Sequence, residues 1–411
     1  MYIIGDNIIS SLGFTAEENY NAVKQGISGV KHYDAGTFDL PEAFMASLID
    51  REKLNGEFAK ISSKNGYTDL EKAAILSVFL ANNEAQIDLS NEKTIFILST
   101  TKGNVDFLDT RQIDTRQIDT RLLDTRLLDE KNLVSCVSKF CVYLWHTAGL
   151  ISGFFGNPNT PMVVSNACIS GAAAQIAAMR ELQSGNYDHA VVVGVDFLSK
   201  FIISGFQSFK ALSPVLCRPF DKDRCGLNLG EAAATMIFSQ GVEGVRELKE
   251  LKGVRLIAGA IRNDANHISA PSRTGDGCFR ALKYILQDID INEIAFINAH
   301  GTATPYNDSA EVQGLVRAGL EHVPVNSLKP VFGHTLGAAG ILESIISTRA
   351  LEENMILKSM NFDEQDFEKR INIAQKHHFS DKPYFIKMLS GFGGCNAVLL
   401  FTKLPLCTDK Y

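Results

Sequence analysis

No uninterrupted apolar run in this sequence approaches the roughly 18 residues that a membrane-spanning helix needs, so no membrane insertion is expected. The opening residues MYIIGDNIISS lack a basic leading region and meet Asp6 before an apolar core can build. They predict a first strand and not a secretory leader. A basic excess is also missing: 40 Lys and Arg against 47 Asp and Glu leave a formal charge of -7. With a pI near 5.8, that balance argues against a nucleic-acid partner, which would call for clustered cations. Eight cysteines are present without one CxxC pair, so neither a zinc site nor a thioredoxin-like motif is suggested and no metal is expected. A cytoplasmic chain with reduced thiols is expected, most of them small buried residues. Any one thiol with suitable surroundings then becomes a candidate nucleophile.

The composition is that of a globular protein, with 45% hydrophobic and 21% charged residues. Apolar segments rich in β-branched residues alternate with helical patterns, which predicts an α/β fold with parallel strands and crossover helices. Strands are expected at Thr94 to Leu98, Met162 to Ser165, Ala190 to Val195, Ala232 to Ser239, Val254 to Ile261, Ile294 to Asn298, Phe385 to Leu389 and Ala397 to Thr402. Two segments echo each other. SNACISGAA, from Ser165, and VFGHTLGAA, from Val331, both set a reactive side chain three residues before Gly-Ala-Ala and then run into a helical pattern. Each reads as a strand-to-helix turn. A duplicated half-domain would bring the two helix N-termini to one site, and chance similarity is the alternative. Between Leu108 and Asp129 a five-residue repeat, LDTRQIDTRQIDTRLLDTRLLDE, matches neither helix nor strand periodicity. It reads as an expanded connecting or cap segment, with a partner-docking element as the alternative.

Three residues invite chemistry. Cys168 follows the run Met162-Val163-Val164-Ser165 and precedes a helix, where free backbone N–H groups and the helix dipole favour a thiolate and can also receive a developing oxyanion. An inert buried cysteine is the alternative. His300 ends an apolar strand and opens HGTATPYNDSAE, at the carboxyl end of a strand where α/β crevices form. His334 starts the second of the paired turns. Either histidine alone could be a satisfied core residue; together with a cysteine in the duplicate turn they point to nucleophilic thioester chemistry.

The segments VVSNACISGAA, CRPFDKDRCGLNLGEAAA, FINAHGTATPYNDSAE, LKPVFGHTLGAAGILES and GFGGCNAVLLF, taken in order, resemble the signature segments of elongating β-ketoacyl-acyl-carrier-protein synthases. The resemblance is close from about Pro161 to Phe401 and weaker before that. It implies a thiolase-like fold of two duplicated αβαβα halves in a five-layered unit. Those halves would span residues 1–240 and 241–411, with a cap or interface insertion near 102–160. It implies that Cys168 takes the acyl chain as a thioester and that His300 and His334 bind the malonyl thioester and stabilise the enolate left by decarboxylation. Lys329 would orient the histidine site, and the N–H groups of Cys168 and Phe392 would form an oxyanion hole. Thr302 and Thr304 would bind the pantetheine arm, and Glu343 would support the site from beneath. No cofactor is implied, because the phosphopantetheine arrives attached to the carrier protein. Carrier protein, acyl thioester and malonyl thioester are the implied partners.

Several positions depart from the family pattern. Ser390 stands where a Phe is usual, Leu328 precedes the lysine where Thr is usual, and Cys395 replaces a common Thr. Thiolases carry a second catalytic cysteine near their C-terminus, but the GFGGCN setting of Cys395 matches the synthases, and a packed core thiol is expected there. STTKGNVD replaces a more glycine-rich stretch, a departure that leans towards a specialised pathway such as an aryl-polyene or polyketide-like lipid. A homodimer is expected, with Ala190 to Val195 continuing a sheet across the interface. A heterodimer with a chain-length partner is the alternative. This chain would then be the catalytic half, because a non-catalytic partner would lack Cys168.

Overall fold

The structure is a computed structural model that describes residues 1–64, 66–108, 141–241 and 253–404. The five-residue repeat, apart from Leu108, lies outside the described residues. Ten strands form the main sheet among the described residues. They are β1 (Tyr2–Ile9), β2 (Thr94–Ser99), β3 (Met162–Val164), β4 (His189–Asp196), β5 (Ala232–Ser239), β6 (Val254–Asn263), β7 (Ile294–Asn298), β8 (Val325–Asn326), β9 (Tyr384–Gly391) and β10 (Cys395–Lys403). The helices that matter here are α1 (Asp69–Ala85), α2 (Ser170–Gln183), α3 (Lys200–Ser208), α4 (Asp276–Ile285), α5 (Pro305–Arg317), α6 (Lys329–Phe332) and α7 (Ala339–Glu352).

The strand order β8-β7-β9-β10-β6-β1-β5-β4-β2-β3 contains the same arrangement twice. In the first set β2 pairs in parallel with β3 and β4, β4 pairs antiparallel with β5, and β5 pairs antiparallel with β1. In the second, β7 pairs in parallel with β8 and β9, β9 pairs antiparallel with β10, and β10 pairs antiparallel with β6. The sets meet at a single pairing, Tyr2 with Arg255. Helices α2 and α7 touch strands of both sets and form the middle layer, while α1 covers the outer face of the first set and α4 that of the second. The result is the five-layered, duplicated thiolase-like fold.

Burial explains the sequence patterns. β2 and β5 are covered along their whole length, as strands sandwiched between helices must be, and they read as continuous apolar runs. The middle helices are covered on nearly every side: α2 buries Ala172, Ala173, Ala174, Ile176 and Ala178, and α7 buries Ile341, Leu342, Ile345 and Ile346. By contrast α1 starts at a capping box in which Thr68 and Glu71 each satisfy the other's backbone N–H. No helix among the described residues is long and apolar enough to cross a membrane.

Two expectations are corrected here. β4 pairs with β2 on one side and β5 on the other, so Ala190 to Val195 has no free edge with which to extend a sheet into a partner. The end strand of that set is the half-buried β3. Ahead of His334, residues Val331 and Phe332 belong to the one-turn helix α6 and not to a strand. Pro330 in its first turn is a helix-start signal that the apolar pattern masks.

Candidate active site

Cys168 sits in a sharp turn between β3 and α2. Ala167 has φ 45°, a left-handed conformation that costs a non-glycine residue energy and marks a functional turn. Ser170 holds the turn: its Oγ accepts from Asn166 N–H at 2.7 Å and donates to Ala167 carbonyl at 2.6 Å. The corresponding turn in the second set carries His334. Its backbone N–H donates to Asn228 carbonyl at 2.7 Å, and its carbonyl accepts from Gly230 N–H at 3.0 Å. Asp196, at the end of β4, ties the end of β2 to the turn that follows His334 by accepting from Thr100 Oγ1 at 2.9 Å, Thr101 N–H at 2.9 Å and Gly337 N–H at 2.7 Å.

His300 follows β7 at the mouth of a loop folded onto two carboxylates. Glu311 accepts from the N–H groups of His300 and Gly301, each at 2.8 Å, and Asp308 accepts from Thr302 N–H at 3.1 Å and Phe220 N–H at 2.8 Å. Burial pushes the Asp308 carboxyl up to about 6 and, with help from Asp308, that of Glu311 up to about 7. Neither carboxylate was singled out in the sequence. Their signal is the spacing NDSAE on the first turns of α5, which lets them reach back to the strand end.

These turns converge. The Cys168 sulfur and one ring nitrogen from each of His300 and His334 lie within 4.8 Å of one another, and all three residues are buried. The two imidazoles meet nearly edge to face, with centroids 5.1 Å apart and planes at 83°. His334 Nδ1 accepts from Leu336 N–H at 3.3 Å, which leaves the proton on Nε2. His334 Nε2 and His300 Nδ1 have no hydrogen-bond partner among the described residues. Burial, followed by repulsion from Lys329, holds both histidines well below their usual range, so both are neutral near pH 7.

Behind the histidines lies a buried cluster of charges. Lys329 is fully buried and donates to Glu343, and Lys387 pairs with the other oxygen of the same carboxylate at 2.6 Å. Burial alone would push the Glu343 carboxyl up; the two ammonium groups outweigh it and hold it below its ordinary value. Both lysines oppose protonation of the two histidines.

A cavity of about 500 Å³ opens onto the cysteine and the histidines. Thr302, Thr304, Gly391, Phe392 and Ser390 line it. The Thr302 and Thr304 hydroxyls are 2.9 Å apart. Phe392 stacks with Phe206 of α3 at 5.9 Å and meets Phe209 edge-on at 5.3 Å, so an aromatic cluster borders the cavity although Ser390 supplies no ring. The structure thus brings Cys168, His300, His334, Thr302, Thr304 and Phe392 to one cavity and sets Lys329 and Glu343 behind it.

Two readings of the cysteines change. Burial pushes the Cys168 thiol up to about 11, outweighing Lys102, Lys329 and the Phe392 N–H, and so favours the thiol over the thiolate. Cys395 is half-buried and lines the cavity, where a packed core thiol was expected.

Comparison with known proteins agrees with this geometry. Residues 2–241 match the family model described as β-ketoacyl synthase, N-terminal domain, and residues 255–363 match β-ketoacyl synthase, C-terminal domain. The chain is 26% identical to the 3-oxoacyl-[acyl-carrier-protein] synthase 2 of Vibrio harveyi over 98% of each chain. Among solved structures, a β-ketoacyl synthase from Burkholderia phymatum superposes with a TM-score of 0.82 at 24% identity, covering 98% of this chain and 99% of that one. The ishigamide ketosynthase/chain length factor superposes with the same TM-score, identity and coverage. With both family models matched and the cysteine and two histidines gathered at one cavity, the chain belongs to the β-ketoacyl synthase family.

Proposed function

We propose that the chain catalyses a decarboxylative Claisen condensation in which an acyl group carried on Cys168 is extended by malonyl-acyl-carrier protein, in fatty-acid or polyketide-like lipid synthesis. The observation that carries this reading is the convergence of the Cys168 sulfur with two neutral, partly unpartnered imidazoles inside one cavity. In the first half-reaction the Cys168 sulfur bonds to the acyl carbon. The pantetheine sulfur leaves, and the thiol proton passes to it. In the second, the bond to the malonyl carboxylate breaks, carbon dioxide departs, and the electron pair becomes an enolate. His334 Nε2–H and His300 donate to its oxygen, and Lys329 with Glu343 sets the potential around them. The enolate carbon then attacks the acyl carbon, the N–H groups of Cys168 and Phe392 hold the oxyanion, and the cysteine sulfur departs as a thiolate that takes up a proton from solvent.

Thr302 and Thr304, on the cavity wall, fit the amides of a pantetheine arm that arrives on the carrier protein, so the chemistry calls for no resident cofactor and no metal. A cytoplasmic homodimer with halves at 1–240 and 241–411 is the assembly we propose, a heterodimer with a chain-length partner being the alternative. Incubation with acyl-carrier thioesters followed by intact mass and peptide mapping tests the function. Acyl addition at Cys168, absent in Cys168→Ala, is expected; addition at Cys395 instead would overturn it in favour of thiolase chemistry.

A further inference from the structure

Lys387 lies on β9 with no exposure to solvent, outside the five signature segments and four residues before GFGGCNAVLLF. Its Nζ donates to the carbonyls of Met388 at 2.8 Å, Ala299 at 3.2 Å and Asn298 at 3.4 Å, in addition to its 2.6 Å pairing with Glu343. Asn298 and Ala299 are the two residues before His300, so this ammonium grips the end of the strand from which the imidazole projects. Lys329 alone would neutralise Glu343. A second buried ammonium is therefore not required to pair the carboxylate, and it carries the desolvation cost of any buried ion.

We infer that Lys387 is a positioning residue for decarboxylation, fixing His300 through the carbonyls at the end of β7 and adding positive charge beside the imidazole pair. The inference rests on the condensing function proposed above. The charged and titratable groups facing Lys387 are Glu343 of α7, Lys329 of α6, Glu311 of α5, and His300 and His334 themselves. Lys387 acts on both imidazoles in the same direction as Lys329, opposing their protonation, and it favours negative charge on an enolate oxygen beside them.

The test compares wild-type protein with Lys387→Met and Lys387→Gln. The glutamine keeps donors for the carbonyls and removes the charge. Release of labelled carbon dioxide from malonyl thioester is followed across pH, and acylation of Cys168 is followed by intact mass. For Lys387→Met, decarboxylation at pH 7 should fall on the order of ten- to a hundredfold, the scale of a displaced reacting group. The acid limb should move up towards the ordinary histidine value of about 6.5. Acylation should persist. Lys387→Gln should recover part of the rate and none of the limb shift, and it decides the matter alone if the methionine variant does not fold. An acid limb superimposable on wild type in an acylation-competent variant would overturn the inference. A wild-type protein that neither acylates nor releases carbon dioxide would defeat the proposed function instead.

Discussion

Replacing His334 with Ala separates the two half-reactions. His334 Nδ1 is taken by Leu336 N–H at 3.3 Å, so its proton sits on Nε2, buried and without a partner among the described residues. That N–H is a preorganised donor for a malonyl enolate, and loss of one such donor costs on the order of a hundredfold to a thousandfold in rate, or roughly 2.7–4 kcal/mol. His300, 5.1 Å away between ring centroids, remains and keeps the loss from being total. Acylation makes no enolate and should be slowed far less. Intact mass of the variant with acyl thioester reports the first step, and labelled carbon dioxide from malonyl thioester reports the second. His334→Asn, which keeps polar volume at the site, controls for the cavity that Ala leaves. A variant that kept decarboxylation but lost acylation would reverse the roles, and an equal loss in both steps would refute the division of labour.

Because burial pushes the Cys168 thiol up to about 11, its alkylation by iodoacetamide in the free protein should be slow at pH 7 and still rising at pH 9, as the thiolate fraction grows; a rate that levels off below pH 8 would contradict this. Gly340→Ala should destabilise the fold by about 1–3 kcal/mol, because the new methyl would lie 2.7 Å from the Gly171 carbonyl carbon and 2.9 Å from Leu389 Cδ1. Thermal unfolding checks it, and an unchanged melting temperature would show that α2 and α7 can part without cost.

Much of the frame was legible because long buried strands announce themselves. Ala232–Ser239 and Ile294–Asn298 begin and end where their apolar runs do. The short strands Lys31–Tyr33 and Phe44–Ser47 were not read, since three or four residues give no period to detect. Cys168, His300 and His334 stood out through their turns and the resemblance, whereas Lys387 did not. A lysine inside Tyr384–Gly391 reads only as a break in an apolar strand. Its meaning appears when Glu343 and the end of β7 close around it. The burial of the cysteine is hidden for a related reason. Helix position is visible in sequence, but the desolvation that pushes the thiol up depends on which distant segments cover the sulfur.

The Gly-Ala-Ala echo has a physical cause that joins fold to chemistry. A methyl on Gly171 would lie 2.9 Å from Gly337 carbonyl oxygen and 3.0 Å from Gly340 Cα, so α2 and α7 touch backbone to backbone at their first turns. Gln175 then donates from α2 to Gly340 carbonyl at 3.0 Å. Only small residues permit that approach, and only that approach puts the turn carrying Cys168 against the turn carrying His334. Asp196 completes the join from the first set of strands by binding Gly337 N–H at 2.7 Å. The duplicated motif is thus a contact surface as well as a repeated element. The nucleophile comes from one half and both histidines from the other, and the distance between them is set by glycines that carry no chemistry.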